Sequence, residues 1–160
     1  MIKKLIAAVL AVSLLAGCNT PTKVSGVHAY SSKNVTCMGV DGDGTQVLRA
    51  WGTGANKTEA IDNGMKNAVR AVIFDGINDG TSECSKKPLI FEVNAQEKYE
   101  MYFNAFFAND GEYRQYVRLD SRRTSRIKAD GKAREAWGVV VYVNRPELRQ
   151  KLINDNIIKP

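Results

Sequence analysis

The hydrophobic positions of this chain follow two periods, which predict strands in some segments and helices in others. Residues 35–40 are predicted to form a first strand and residues 46–51 a second, in which alternate side chains point to opposite faces. An Asp- and Gly-rich connection between them predicts a hairpin turn. A second hairpin is predicted from strands at 118–128 and 133–143 around Asp130-Gly131. The last strand is apolar on both faces and is therefore predicted to be central, with its Arg-rich partner at the edge.

Three segments carry apolar residues at helical spacing. The first is predicted to begin at Asn56, which has capping-box spacing to Glu59, and to end near Gly76. The second has the same capping spacing from Asn94, and the third begins at Asn144. The second helix presents one broad aromatic face that we expect to pack in the core. Its members are Tyr99, Tyr102, Phe103, Phe106 and Phe107.

The predicted element order, β-β-α-α-β-β-α, indicates an α+β fold. Two hairpins with helices between them favour an antiparallel sheet of about four strands with the helices packed on one face. Residues 77–91, between the first two helices, are predicted to form a polar loop. We expect residues 34–160 to form a single α+β domain, because this length is typical of one domain with its own core.

Residues 1–17 have the pattern of a lipoprotein signal peptide. A basic start precedes an apolar stretch at 5–14, which is shorter than the roughly 20 residues that a membrane span needs. The sequence Leu-Ala-Gly-Cys that ends at Cys18 is typical of a bacterial lipobox. We therefore expect cleavage before Cys18 and attachment of palmitate and other acyl chains. A protein modified in this way is anchored to the membrane by its lipid and is not expected to span it.

The residues after Cys18 predict where the protein is held. Asn19 stands where an Asp would favour retention in the inner membrane, so the outer membrane is the expected destination. Residues 18–33 are poor in large apolar side chains and are predicted to be a lipidated tether. The domain is expected to face the periplasm, and exposure on the cell surface stays open as an alternative.

Positive charge is concentrated in the second predicted hairpin. The chain has a formal net charge of +6, and the two lysines of the leader account for part of it. Because residues two apart on a strand share a face, the basic residues of the first strand are predicted to form one stripe. The candidate residues for binding a polyanion are Arg118, Arg122, Arg126, Lys128 and Arg134. The interpretation favoured for this cluster is a solvated edge strand whose charges prevent aggregation, with polyanion binding as the alternative.

Two cysteines remain after the lipobox, Cys37 and Cys84. The periplasm is oxidising, so a disulfide between them is permitted. Their separation fits neither a metal site nor a redox C-x-x-C. The alternatives of a disulfide and of two separate thiols stay open at this point, because sequence does not show whether the residues lie close in space.

The residues that carry most enzyme chemistry are scarce. The single histidine, His28, lies in the predicted tether, so no Ser/His/Asp, Cys/His or zinc set is available. The Asp/Gly-rich turn lacks the Glu of a calcium loop, since Gly52 occupies the twelfth position. Lys57 replaces the third glycine of a phosphate-binding loop. We predict no catalytic residue, no metal, no cofactor, no small-molecule substrate and no nucleic acid partner.

Residues 49–72 carry a likeness to a known group. A strand ends in the Gly-x-Gly of 52–54, and a helix with small residues at fourth-residue steps follows. This stretch resembles the twenty-kilodalton membrane-associated (LPP-twenty) group of bacterial outer-membrane lipoproteins, and also the N-terminal domain of a flagellar ring assembly protein. The resemblance implies a small α+β lipoprotein that assembles with itself or with an envelope machine.

Together these features predict a non-catalytic outer-membrane lipoprotein with a structural or scaffolding role in an envelope-associated assembly. Its expected partners are the membrane, reached through the lipid anchor, and either another copy of the chain or an envelope protein. The alternative is a periplasmic binding module that holds lipopolysaccharide or peptidoglycan through the Arg-rich hairpin.

Overall fold

The structure is a computed structural model that describes residues 35–127 and 135–160. Within these residues the strands are β1 (Thr36–Val40), β2 (Gln46–Gly54), β3 (Asp79–Gly80), β4 (Val117–Ile127) and β5 (Glu135–Val143). The helices are α1 (Lys57–Arg70), α2 (Ala95–Lys98), α3 (Glu100–Phe106) and α4 (Arg145–Asn154). A π-helical turn at Ala71–Asp75 extends α1, and a 3-10 turn at Glu112–Tyr116 precedes β4.

The α+β class is confirmed, and the sheet has one strand more than predicted. Its order is β3-β1-β2-β5-β4, and β1, β2, β5 and β4 pair antiparallel with their neighbours. The additional strand, β3, pairs parallel with β1 at Asp79 and Gly80. A strand of two exposed residues has no alternating pattern, so the sequence could not reveal it.

One face of the sheet packs against α1. Leu48 and Ala50 of β2 lie opposite Val141 and Val139 of β5 on this face, and all four are fully buried. The buried residues of α3 and α4 belong to the same core. A Cβ on Gly52 would lie 2.0 Å from the carbonyl oxygen of Ala60, so α1 approaches β2 at the distance that small residues allow.

The predicted start of α1 is confirmed. The Asn56 side chain accepts a hydrogen bond from the Glu59 backbone N–H at 3.0 Å. The Glu59 carboxylate accepts one from the Ala55 N–H at 2.8 Å, one residue before the usual partner in a capping box. The helical segment ends at Gly76, whose φ of 74° lies in the left-handed region that favours glycine.

The second predicted helix is divided into α2 and α3, and its predicted cap is wrong. Tyr99 has φ −114° and ψ 32° between the two helices, and the Asn94 side chain makes no capping bond. The aromatic core is confirmed, because Phe103, Phe106 and Phe107 are buried. The break keeps these rings directed at the core, so the hydrophobic period alone did not distinguish one helix from two.

The segment 77–91 was predicted to be a polar loop, but it is anchored to the core. Leu89 and Ile90 are buried and donate backbone hydrogen bonds to the carbonyls of Val72 and Ile73. A disulfide joins Cys37 of β1 to Cys84 of this loop, with the Cα atoms 5.9 Å apart. The disulfide alternative is therefore the one that the structure contains, and it ties the loop to the sheet.

The C-terminal helix follows its prediction. Asn144 accepts a hydrogen bond from the Glu147 N–H at 3.1 Å, and Leu148 and Leu152 are fully buried. After α4 the backbone N–H groups of 157 and 158 both donate to the Leu152 carbonyl. The chain end therefore folds back onto the last turn of α4.

Candidate functional site

The predicted basic stripe is wrong, because β4 contains a bulge. β4 pairs regularly with β5 up to Asp120 opposite Val140, and pairing resumes at Thr124 opposite Val139. Three residues, 121–123, are therefore inserted on β4 alone. Since side chains alternate between faces, an insertion of three residues reverses which face the following residues occupy. Lys128 and Arg134 lie outside the described residues.

The basic residues that were predicted to share a face are consequently separated. Arg118 lies opposite Tyr142 on the face away from α1, and its guanidinium is 4.0 Å from the centre of that ring. Arg126 lies opposite Trp137 on the face that α1 covers. Arg122 stands in the bulge itself and is exposed.

We call the sheet face away from α1 the outer face. On it, Arg123 donates hydrogen bonds to the Tyr142 hydroxyl at 2.9 Å and to the Asp120 carboxylate at 2.7 Å. The bond from Arg123 holds the pKa of Asp120 below its usual range. Arg49 of β2 is exposed on the same face, about 10 Å away across β5 from β4. The outer face therefore places the guanidinium groups of Arg118 and Arg123 beside the ring of Tyr142.

On the α1 side, Arg126 is already paired. Its guanidinium lies 3.2 Å from the Glu135 carboxylate, which also accepts a hydrogen bond from the Trp137 ring N–H at 2.9 Å. The Lys57 ammonium lies 4.4 Å from the centre of the Trp137 ring. The Arg126 side chain nevertheless stays 62% exposed, so it can still contact a partner.

A groove of about 830 Å³ lies beside α3 and α4. It adjoins the end of the β4–β5 hairpin where β4 begins and β5 finishes, away from Arg126 and Trp137. We call it the acidic groove. The apolar part of its lining comes from Tyr102, Ala105 and Phe106. The charged part of its lining consists of three carboxylates and one ammonium, those of Asp110, Glu112, Asp155 and Lys151.

These groups hold one another in place. The Lys151 ammonium lies 2.6 Å from the Glu112 carboxylate and 3.1 Å from that of Asp155. These two partners raise the pKa of Lys151. The Tyr102 hydroxyl donates to Asp155 at 2.6 Å, and burial followed by this bond raises the pKa of Tyr102 well above its ordinary value. With two carboxylates on Lys151 and Asp110 beside them, the groove is net negative.

A second ion cluster fixes the rim of the acidic groove. Asp62 of α1 accepts hydrogen bonds from Tyr113 and Arg114 and pairs with Lys66 at 3.1 Å. Lys66 and Arg114 each also bond Asn109, which lines the groove. The cluster therefore connects α1 to the turn that carries Asp110, one of the carboxylates that line the groove.

An exposed apolar side chain lies beside the groove on α3. Met101 of α3 is 89% exposed and lies one helical turn before Ala105. Phe91 and Val93, in the segment before α2, are 70% and 97% exposed. The sequence analysis missed these residues, although one signal was available: Met101 lies off the aromatic stripe of its own helix. Of these three residues, Met101 is the one that neighbours the groove lining along its helix.

Among residues 35–127 and 135–160, no group of three or more His, Cys, Asp or Glu side chains is arranged to hold a metal ion. None of the helices in this part of the chain has the length and apolar character that crossing a membrane requires. Cys18, the predicted lipidation site, lies outside the described residues.

Comparison of the chain with protein-family models, with curated proteins and with solved structures gives no match. The resemblance of residues 49–72 to the LPP-twenty group stays a prediction.

Proposed function

We propose that the protein is a non-catalytic outer-membrane lipoprotein with a structural or scaffolding role in an envelope-associated assembly. The observation that carries this proposal is the acidic groove, whose lining combines Tyr102 and Ala105 with carboxylates. The exposed Met101 lies one helical turn before Ala105. An apolar surface with charged neighbours is suited to a protein partner. A lipid anchor at Cys18 would restrict the domain to the membrane surface and so raise its concentration near such a partner.

The Cys37–Cys84 disulfide supports the proposed compartment. Disulfides persist in oxidising compartments such as the periplasm and are rare in the cytosol. The bond closes a span of 47 residues, so it connects parts of the domain that are distant along the chain. A periplasmic lipoprotein domain is a setting in which this bond forms and remains.

The test is crosslinking in intact cells, followed by purification through a C-terminal tag and mass spectrometry. We expect either a near-stoichiometric envelope protein or a ladder of self-crosslinks. Met101→Glu should weaken the captured product, because it places a carboxylate beside a groove that is already negative. Arg149→Glu, an exposed change elsewhere on α4, is the matched control. Recovery of monomer alone at normal protein levels would contradict the proposal.

A second candidate function is supported by the outer face, where Arg118 and Arg123 contact Tyr142 and Arg49 is exposed on the neighbouring β2. Arginine recognises phosphate and carboxylate groups with paired hydrogen bonds, and an aromatic ring offers a stacking surface beside it. On this proposal the domain binds an anionic envelope component such as lipopolysaccharide or peptidoglycan. The arginines of the outer face would carry that binding, in place of the predicted stripe.

Vesicles containing lipopolysaccharide test this second candidate. Replacing Arg49 and Arg118 by Gln should weaken binding by about thirtyfold, if each charge contributes about 1 kcal/mol at an anionic surface. Arg126→Gln is the control, because Arg126 lies on the α1 side of the sheet. Binding should also fall as salt is raised. Equal losses of binding for the double variant and for Arg126→Gln, or binding that does not change with salt, would contradict this candidate.

A further inference from the structure

We propose that the partner of the acidic groove is the exposed, arginine-bearing edge of β4 in a second copy of the chain, so that copies join head to tail. This inference rests on the proposed scaffolding function and names its partner. We call this edge the basic edge and define it by Arg122 and Arg126, which are both exposed. The two surfaces have opposite charge, and both belong to every copy.

Arg122 of the edge and Asp110 of the groove are available for a contact with a second copy, whereas Arg126 already pairs with Glu135 and keeps its side chain 62% exposed. Arg122 makes no ion pair with any residue in the described ranges, and neither does Asp110 of the groove. Glu112 contacts Lys151, but its side chain remains 54% exposed. The groove therefore presents an excess of carboxylate and the edge an excess of guanidinium.

Within one chain, the acidic groove is distant from the end of the basic edge that carries Arg126. The groove adjoins the 3-10 turn that precedes β4 and the helix that follows β5. Arg126 pairs opposite Trp137, six residues along β5 from Val143, which places it about 20 Å from the start of β4. An Arg126 side chain therefore reaches such a groove only in another copy.

The basic edge also disfavours the simplest alternative, a symmetric pairing of two β4 strands. β4 ends the sheet, and its outer edge pairs with no other strand in the described residues. The bulge at 121–123 interrupts its regular hydrogen-bonding groups, and two such edges would bring like charges together. Opposite surfaces that differ from each other form a heterologous contact, which continues into a ring or a filament.

The acidic groove fits an incoming arginine in chemistry as well as in charge. The stem of an arginine can pack on Ala105 and Tyr102 while its guanidinium meets the carboxylates of Asp110 or Glu112. The exposed Met101 beside the groove would be covered by the same contact. A second copy thus accounts for both the charge and the apolar exposure of this site.

The experiment uses the full-length chain in cells, with a photo-crosslinking amino acid in place of Ala105, which is exposed in the groove lining. Irradiation should give a self-crosslinked product whose second peptide comes from β4. Asp110→Arg and Arg122→Asp should each reduce this product by about tenfold, since each places like charges in contact. Arg149→Asp, a reversal of an exposed charge on α4, should leave it unchanged.

Co-expression of the two charge-reversal variants separates a head-to-tail contact from other arrangements. Each variant alone repels itself, but the reversed edge of the Arg122→Asp chain suits the reversed groove of the Asp110→Arg chain. We expect crosslinked products in which the two variants alternate and which extend beyond the dimer, because the unchanged edge of the Asp110→Arg chain also suits the unchanged groove of the Arg122→Asp chain. Wild-type chains should extend beyond the dimer.

The possible failures are distinguishable. A crosslink from the groove to a different envelope protein, unaffected by Arg122→Asp, would overturn the self-contact and leave the scaffolding function standing. Absence of any crosslinked protein, from the groove or through the tag, would overturn both. Absence of crosslinked products that contain both variants in the mixed cells would also contradict the head-to-tail contact.

Discussion

At the scale of single residues, a glycine allows α1 to lie close against β2. Gly52 of β2 faces α1, where an added Cβ would meet the backbone of Ala60 at 2.0 Å and of Gly64 at 2.2 Å. Backbone atoms at that distance move only if the whole helix moves. Gly42, in the turn between β1 and β2, has nothing within 4 Å of the same position.

Gly52→Ala should therefore destabilise the fold by about 1–3 kcal/mol, the usual cost of forcing an extra carbon into a packed site. Urea denaturation of the purified protein measures the change. Gly42→Ala is the matched control and should change the free energy of unfolding by no more than about 0.5 kcal/mol. Similar values for the two variants would show that α1 does not pack closely on β2.

Two tyrosines make the stability of the protein sensitive to alkaline pH. Burial and hydrogen bonds to carboxylates raise the pKa of both Tyr102 and Tyr113 above the ordinary value near 10. The folded chain therefore keeps these phenolic protons at a pH where the unfolded chain releases them. This contribution to stability is complete below about pH 10 and is lost as the pH rises further.

We expect the free energy of unfolding to fall more steeply above about pH 10 in the wild type than in a Tyr102→Phe, Tyr113→Phe double variant. Urea denaturation at a series of pH values gives both slopes. The raised pKa of Lys151 acts in the same direction in both proteins, so the difference between them reports the tyrosines. Equal slopes would contradict the assignment.

At the scale of elements, the residues at the starts of α1 and α4 predict where these helices begin. The residues of β4 do not predict which face of the sheet each side chain occupies. Asn56 and Asn144 cap their helices as their spacing predicts. The bulged part of β4 consists of polar residues, so no apolar alternation specifies its register. Pairing with the apolar β5 decides which arginines share a face, and that pairing separates Arg118 from Arg126.

The disulfide is the element-scale link whose removal has the largest expected cost. Replacing both Cys37 and Cys84 by Ala should lower the free energy of unfolding by about 2–5 kcal/mol, because the closed loop is long and the bond restricts the unfolded chain. Denaturation of the wild type with and without a reductant gives the independent comparison. A denaturation midpoint that is the same in all three samples would contradict a stabilising role.

At the scale of the whole molecule, the predicted anchor determines where the two charged surfaces act. If the lipobox interpretation is right, Cys18→Ser should abolish incorporation of labelled palmitate and release the protein from the membrane fraction, because Cys18 would then carry the acyl chains. The variant in which Cys37 and Cys84 are both Ala is the control and should stay labelled. Labelled Cys18→Ser protein would contradict the lipobox interpretation.

Loss of the anchor should also weaken any assembly through the acidic groove. Copies held on one membrane surface meet at a higher effective concentration than free copies do. The groove crosslink should therefore fall in Cys18→Ser cells at equal protein levels. An undiminished crosslink would mean that the contact forms without help from the membrane.

The sequence by itself determined what depends on neighbouring residues: the periods that separate strands from helices, the caps at Asn56 and Asn144, and the lipobox pattern at Cys18. The tertiary structure alone decided the features that join distant segments. These are the bond between Cys37 and Cys84, the bulge that divides the arginines of β4, and the groove that brings residues 102–112 to α4. Local patterns specify backbone conformation, whereas pairings and grooves depend on which surfaces meet when the core closes.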